Sequence, residues 1–433
     1  MATTHGTERS LEVCIIGAGA SGVTVAKSLR QRGVDFDWFE KGSALGGLWR
    51  YDNDSGTSSA YRSLQIDTSS RSLAYPDFPV PPGRPAYLRA RHVLEYLESY
   101  AAEFGVADAV QTSTEVLSVQ RLGSRWSVTT DRHGARTYDA VVVANGHLSV
   151  PRRPSFPGTF TGEELHSHDY RTPEPFSGRS VVVVGMGNSG CDIAVDLARV
   201  AGQVHLSTRR SAWVLPKYLL GVPTDRWSAF LTRKLRLPTP LARNVVKTVA
   251  RVAVGPQERF GVPKPAHPIH REHATIGQEL LQYVAYDWIR VRPDIASFDG
   301  REVRFTDGTS TTADAVVYAT GYDPSFPFLP ADLVARAESG QLYRRIAHPE
   351  APGLYFAGLV QPVGPTIPLV EIQGRWIARV LTEEVPLPDA ETMAQEIAAH
   401  RRWVDATFVN SARYRLEVDF RTYAGQLRRD MAA

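Results

Sequence analysis

Residues 179–210 read RSVVVVGMGNSGCDIAVDLARVAGQVHLSTRR. The β-branched run Val181 to Val184 meets Gly185, Gly187 and Gly190 at G-x-G-x-x-G spacing, then a helical pattern and a second short strand, Val204 to Leu206. This is the order of a βαβ nucleotide-binding unit. Its glycines let the backbone turn tightly and approach a pyrophosphate, whose charge rests on helix N–H groups at the positive end of the dipole.

A second copy stands near the N-terminus. The short apolar strand Glu12 to Ile16 runs into Gly17, Gly19 and Gly22, Val23 to Leu29 continues with helical spacing, and a strand from Asp35 to Phe39 ends on Glu40. Glu40 lies 23 positions after Gly17 (40 − 17), where a carboxylate accepts hydrogen bonds from a ribose 2′-hydroxyl. That site suits an unphosphorylated adenosine ribose. The same count from Gly185 reaches Thr208, which Arg209 and Arg210 follow. An acid there would repel a 2′-phosphate, whereas a hydroxyl and guanidinium groups hold one through charge-assisted hydrogen bonds. The second ligand is therefore expected to be NADP(H), with a strong preference for NADPH over NADH.

At 433 residues the chain suits two domains better than one core. A formal net charge of +3 with 22% charged residues makes no large one-signed field, and Arg152-Arg153 and Arg428-Arg429 read as solvated surface, so no nucleic-acid partner is expected. Cys14 and Cys191 each fall inside a nucleotide motif and read as small buried residues in a reducing compartment. With no signal peptide and no run of about 18 apolar residues, a cytoplasmic protein without a membrane span is expected. The first ten residues read as a frayed lead-in.

Between the units, Gly46-Gly47 allow a tight loop and Leu48-Trp49 offer an apolar wall. Asp52, Asp54 and Gly56 do not make a calcium loop, because Ser63 stands where its bidentate acid belongs. Tyr61 to Pro82 is expected to be ordered irregular chain, Ala90 to Phe104 a helix, and Val116 to Val119, Trp126 to Thr130 and Ala140 to Ala144 strands. Ala144-Asn145-Gly146 and Ala319-Thr320-Gly321 each end an apolar strand and read as chain crossings between domains. From Trp213 to Val262 the pattern is helical and proline-punctuated. His267, His270 and His273 in PAHPIHREH lack an acid or cysteine at a metal-ligand spacing, so a loop without metal is expected. Pro365 to Val380 reads as a helix carrying the i,i+4 pair Glu371 and Arg375, and its N-terminus near Gly364 faces a cofactor. The tail from Asp389 is expected to be helical and to pack on the surface.

The fold class is thus α/β, with two Rossmann-like dinucleotide-binding domains, the NADP domain inserted into a discontinuous FAD domain. The expected boundaries are 1–172 and 313–433 for the FAD domain and 173–312 for the NADP domain, the latter with a helical substrate-access insertion at about 213–268.

Phe160, Gly162, His166 and Tyr170 match the F-x-G-x-x-x-H-x-x-x-[FY] fingerprint of class B flavin-dependent monooxygenases. With GGLW (46–49), YRSL (61–64), YPDFP (75–79), GNSGCDIA (187–194), STRRSAWVLP (207–216) and YATGY (318–322), the chain resembles a flavin-containing monooxygenase of the N- and S-oxygenating type. The resemblance implies FAD and NADP(H) as cofactors and O2 as co-substrate. It further implies a C4a-hydroperoxide on the flavin that passes its distal oxygen to a small molecule with a nucleophilic nitrogen or sulfur. By motif, FAD falls to Gly17, Gly19, Gly22, Glu40, Leu48, Trp49 and Thr68, and NADP to Gly187, Asn188, Ser189, Gly190, Ser207, Thr208 and Arg209, with Arg210 as helper. His166 and Tyr170 are expected to hold domain orientation.

One departure concerns the catalytic candidate, Asp67. Oxygenating members of the family usually carry asparagine after YRSL, whereas Baeyer–Villiger enzymes often carry aspartate there with a nearby arginine. An ionised Asp67 without a partner would keep the hydroperoxide protonated, and one paired with arginine would support the opposite state. Baeyer–Villiger oxidation of a ketone and a nucleotide-binding redox sensor without turnover remain alternatives. A disulfide reductase needs a cysteine pair that this sequence lacks. Oligomeric state is left open, a homodimer being one option.

Overall fold

The two apolar runs that open the nucleotide motifs become central strands of two five-stranded parallel sheets. This is a computed structural model, which describes residues 11–277, 279–409, 411 and 414–432. The expected lead-in, residues 1–10, lies outside them. In the first sheet the order is Leu354–Phe356, Ala140–Val143, Glu12–Ile16, Asp35–Phe39 and Val110–Gln111. In the second it is Glu163–His166, Ala315–Tyr318, Ser180–Val184, Gln203–Ser207 and Ile289–Arg292.

Both central strands are covered on both faces, which is why they read as unbroken apolar runs. Val13 and Ile15 enter one core cluster while Cys14 and Ile16 enter another. Val181 and Val183 likewise face a different cluster from Val182 and Val184. Each buried valine contributes about 1.5 kcal/mol or more relative to exposure. Glu12 stands opposite Asp35 and Ser180 opposite Gln203, an offset of 23 in each case (35 − 12 and 203 − 180). Thr208 is therefore the positional counterpart of Glu40.

The long helix Ile367–Leu381 packs on Ala20–Arg30, the helix of the first motif. Close approach needs Gly374, where a Cβ would stand 2.8 Å from the Thr24 carbonyl oxygen. The buried ammonium of Lys27 joins the pair, 3.1 Å from Glu371 and also paired with Asp77. Glu371 and Arg375 form the expected i,i+4 pair at 2.9 Å.

Several expectations are corrected. Glu163–His166 and Ala315–Tyr318 both belong to the second sheet, Ala315–Tyr318 pairing directly with Ser180–Val184. Outside them, Val150–Pro151 and Tyr322–Asp323 pair antiparallel, so the two connections run side by side there. Tyr61 to Pro82 is not wholly irregular, since it contains the strand Gln65–Ser69 and the helical turn Ser70–Leu73. The segment after Trp213 opens with the hairpin Tyr218–Leu219 and Val222–Pro223 before the helices Thr224–Arg233 and Thr239–Ala253. These pack their own small core, with Trp213, Leu231, Ala242 and Val246 buried in it.

The tail is also more than a surface helix. Ala390–Thr407 is largely exposed, but Glu417–Asp419 pairs with Gln361–Val363, and Tyr423, Ala424 and Leu427 of Phe420–Asp430 enter the main core. Alternating apolar residues too few to mark a strand hide this docking in the sequence. Among the described residues no helix is long and apolar enough to cross a membrane.

The fingerprint residues sit at the seam between the sheets. Gly162 is required because a Cβ would lie 2.6 Å from the Phe160 ring and 2.7 Å from the Asp314 carbonyl oxygen. The His166 ring is fully buried, and its Nδ1 accepts the His168 backbone N–H at 3.1 Å. The Tyr170 hydroxyl donates to Asp196 on the helix Asn188–Ala198 at 2.9 Å, as does the Ser63 hydroxyl. Asp196 is buried, so Asp196→Ala orphans the Tyr170 hydroxyl and removes two hydrogen bonds to a charged acceptor. It should destabilise the protein by about 2–4 kcal/mol, read as a lowered midpoint in thermal unfolding, with Asp196→Asn intermediate.

Candidate active site at the junction of the two nucleotide units

A single cavity of about 1840 Å³ runs from the first glycine motif, past the seam, to the helices of the 213–268 segment and the tail. An ordinary one-ligand pocket holds about 300–1000 Å³, so this space takes more than one extended ligand. Gly17, Gly19, Glu40, Leu48, Trp49, Asp67, Thr68 and Asn188 line it, as does the N-terminal turn of Ile367–Leu381.

In the first motif each glycine has a separate reason. Gly17 has φ +100°, and a Cβ on Gly22 would lie 2.0 Å from the Gly17 carbonyl oxygen, so strand and helix meet without side chains. At Gly19 the nearest heavy atom to a Cβ is the Gly47 Cα, 3.8 Å away, which leaves the helix N-terminus open to the cavity. No side chain caps that helix. The Gly46-Gly47 loop folds over it, the Gly46 N–H donating to the Ala18 carbonyl at 2.8 Å. The Glu40 carboxylate accepts the Ala18 and Gly42 N–H groups, both at 2.7 Å. Burial pushes the Glu40 carboxyl up from its ordinary range despite those two donors.

The second motif repeats the pattern. Gly185 has φ +111°, a Cβ on Gly190 would lie 1.9 Å from the Gly185 carbonyl oxygen, and a Cβ on Gly187 would meet nothing within 4 Å. Ser189 is half-buried beside it, while Arg209 and Arg210 are exposed, with no ion pair among the described residues. Ser207 differs from its expected place: it is fully buried, and its hydroxyl donates to the Pro293 carbonyl at 2.8 Å, so it secures the strand end. Thr208 is half-buried at the rim, its hydroxyl donating to the Arg210 carbonyl.

Asp67 lies where the two units meet. Asn188 bonds its carboxyl from the start of the central helix, and the Asn188 amide is itself held by the Ile276 N–H, 3.0 Å from Oδ1. One helical turn on, Asp192 accepts the Tyr61 hydroxyl at 3.0 Å. Oδ1 of Asp67 has no hydrogen-bond partner among the described residues and stands 3.9 Å from the Lys217 ammonium. Burial, reinforced by the charge of Asp192, pushes the Asp67 carboxyl up to about 8, against the opposing pull of Lys217 and Asn188. Burial pushes Asp192 up as well. Asp67 is thus pushed towards its neutral form, a state the two alternatives drawn from sequence did not include, and its cation is a lysine rather than an arginine. A protonated carboxyl has the shape and charge of an asparagine amide.

Two glycine-motif units meet at one cavity, beside an intact fingerprint. Residues 10–433 match the flavin-binding monooxygenase-like family. The chain belongs to it. Flavin-containing monooxygenase 5 of Cavia porcellus is 34% identical over 94% of this chain and 80% of its own length. Flavin-containing monooxygenase 3 of Homo sapiens is 34% identical over 89% of this chain and 76% of its own. Among solved structures, S-allyl-L-cysteine S-oxygenase from Allium sativum superposes with a TM-score of 0.73 at 27% identity, covering 98% of this chain and 89% of that one. Cyclohexanone monooxygenase with bound ε-caprolactone shares the fold, with a TM-score of 0.73 at 19% identity over 98% of each chain. The enzyme is a flavin monooxygenase that uses FAD, NADPH and O2.

Asp192 and Lys217 were not legible as site residues. Asp192 had a signal, its i,i+4 spacing from Asn188 on one helix face; Lys217 had none. As pH rises through about 8, Asp67 loses its proton and places a negative charge in the cavity. The fraction of NADPH consumption that appears as hydrogen peroxide should therefore change across this range in the wild type and stay level in Asp67→Asn, with the two alike at pH 7. Identical pH profiles would remove the Asp67 proton from the mechanism.

Proposed function

We propose that the enzyme oxygenates a nucleophilic nitrogen or sulfur of a small molecule, with the first nucleotide unit holding FAD and the second holding NADP(H). The observation that carries this reading is the Asp67 carboxyl where the two units meet, bonded by Asn188 and facing a lysine at 3.9 Å rather than an arginine. In the finer arrangement we favour, the NADP domain is an insertion between Val150–Pro151 and Tyr322–Asp323 in a discontinuous FAD domain.

The residues fit both groups. Open backbone at Gly19 and Gly187 gives room for a pyrophosphate against uncapped helix N-termini, where first-turn N–H groups bind anions. Glu40 keeps lone pairs for ribose hydroxyls, and Leu48, Trp49 and Thr68 wall the flavin side. Thr208, Arg209 and Arg210 receive the 2′-phosphate, Gly190 and Gly22 serving by close packing and Ser189 by its place in the first turn. When bound, FAD takes hydride from NADPH and activates O2 for transfer to a soft nucleophile.

The protein's part is to orient the two ligands, exclude water and hold a proton. A neutral Asp67 donates its O–H or accepts at its unpartnered Oδ1 without adding charge. Asn188 ties the NADP cradle to that same carboxyl, so the bound nucleotide and the reacting side of the cavity share one support. The lysine beside Asp67, in place of an arginine, supports heteroatom oxygenation over Baeyer–Villiger chemistry.

With NADPH and O2, a tertiary amine should yield its N-oxide and a thioether its sulfoxide, whereas a ketone should yield little ester; a dominant ester product would reverse the assignment. The double variant Arg209→Ser, Arg210→Ser should raise KM for NADPH about 10–100-fold and leave KM for NADH unchanged. An unaltered NADPH preference would place the 2′-phosphate elsewhere.

A further inference from the structure

One wall of the cavity holds a histidine that the nucleotide motifs do not use. His273, from the PAHPIHREH stretch, lies with its Nε2 2.6 Å from Oε2 of Glu417 and its ring stacked on Tyr414. Glu417 is fully buried on the tail strand Glu417–Asp419, opposite Gln361, and its Oε1 has no hydrogen-bond partner among the described residues. A carboxylate against Nε2 sets the tautomer, with the proton on Nε2 and the free lone pair on Nδ1. No protein atom among the described residues bonds Nδ1, and His273 lines the cavity.

The dyad opens on the same cavity as Asp67. From His273 the wall continues through Ala274 to Ile276, whose N–H orients Asn188 beside Asp67. His273 and Asp67 therefore line the same cavity, joined along one wall by Ala274, Ile276 and Asn188. The charged groups around the ring are Glu417 and Asp419 on the tail strand, Glu272 on its own segment and Arg243 on the helix Thr239–Ala253. Glu272 is paired with His267 at 2.7 Å, Asp419 accepts the Thr239 hydroxyl at 3.1 Å, and Arg243 donates to the Glu272 and His270 carbonyls. Glu417 has His273 as its one ion-pair contact within 4 Å among the described residues, and its charge also bears on the buried Arg243 guanidinium.

We propose that His273, positioned by Glu417, is the general base that removes the proton from ammonium substrates before nitrogen is oxygenated. The inference rests on the oxygenation reading above. An alkylammonium has no lone pair to offer an electrophilic oxygen. Nδ1 takes the proton, the N–H bond breaks, its electron pair stays on nitrogen, and the Glu417 carboxylate faces the imidazolium charge. The sum balances: one ammonium, one NADPH and one O2 give one amine oxide, one NADP+ and one water. The substrate's own proton ends in that water. A thioether has no such proton, and its oxidation draws the proton from solvent instead.

The two substrate classes therefore test the dyad against a merely structural pin between the tail and the inserted segment. In His273→Gln holoenzyme, kcat/KM for a tertiary amine at pH 7 should fall about 10²-fold, while a thioether of matched size stays within about twofold. Glu417→Gln should show the same selectivity, with a loss of about tenfold. Raising the pH until the amine is free in solution should restore the His273→Gln rate toward wild type. Flavin absorbance per chain and Kd for NADPH should not change. Equal losses on both substrates, no loss on the amine, or a wild type that oxygenates the thioether and no amine would each overturn the proposal. A wild type that oxygenates neither substrate would overturn the proposed function itself.

Discussion

One face of the helix Asn188–Ala198 holds the molecule together. Asn188, Asp192 and Asp196, at successive four-residue steps, meet Asp67, Tyr61 and Ser63 from the other side of the seam, and Tyr170 from their own. Polar groups on a helix otherwise buried in valine, isoleucine and leucine must be matched by partners, because each unmatched one costs about 1–3 kcal/mol. The bonds that secure the junction therefore also hold Asp67 against the start of the central helix. Stability and active-site geometry are here the same set of hydrogen bonds.

That coupling explains the state of Asp67. Its carboxyl is pushed towards the neutral form by desolvation and by Asp192, which both come from the packing of the two units around it. Lys217, from the segment after the second motif, offsets part of this without forming a tight pair at 3.9 Å. A surface carboxylate at the same point in the sequence would be ionised; burial gives it the character of an amide.

Much of this was legible in the residues. The glycine motifs, the count of 23 and the acid-to-hydroxyl exchange between Glu40 and Thr208 reappear as the registers of two sheets, because a βαβ unit has nearly fixed strand, turn and helix lengths. Where strand order depends on distant pairing, sequence was mute. Ala315–Tyr318 reads equally well as belonging to either sheet, and its partner is selected by side-chain packing across more than a hundred residues. Ser207 is assigned to NADP by the family motif, and its buried hydroxyl donates to the Pro293 carbonyl. Lys217 and the tail strand carry no local signal at all, since their roles exist only once three remote segments have met.

The tail strand gives the enzyme a temporal property as well as a wall. Glu417–Asp419 docks on Gln361–Val363, and Asp419, Phe420 and Arg421 line the cavity. A chain emerging from the ribosome completes the strands of both parallel sheets 61 residues (417 − 356) before this wall arrives. The order of synthesis therefore assembles the machinery for handling electrons first and the chamber that confines a reactive oxygen last, leaving the nascent chain an interval in which its two halves exist without their enclosure.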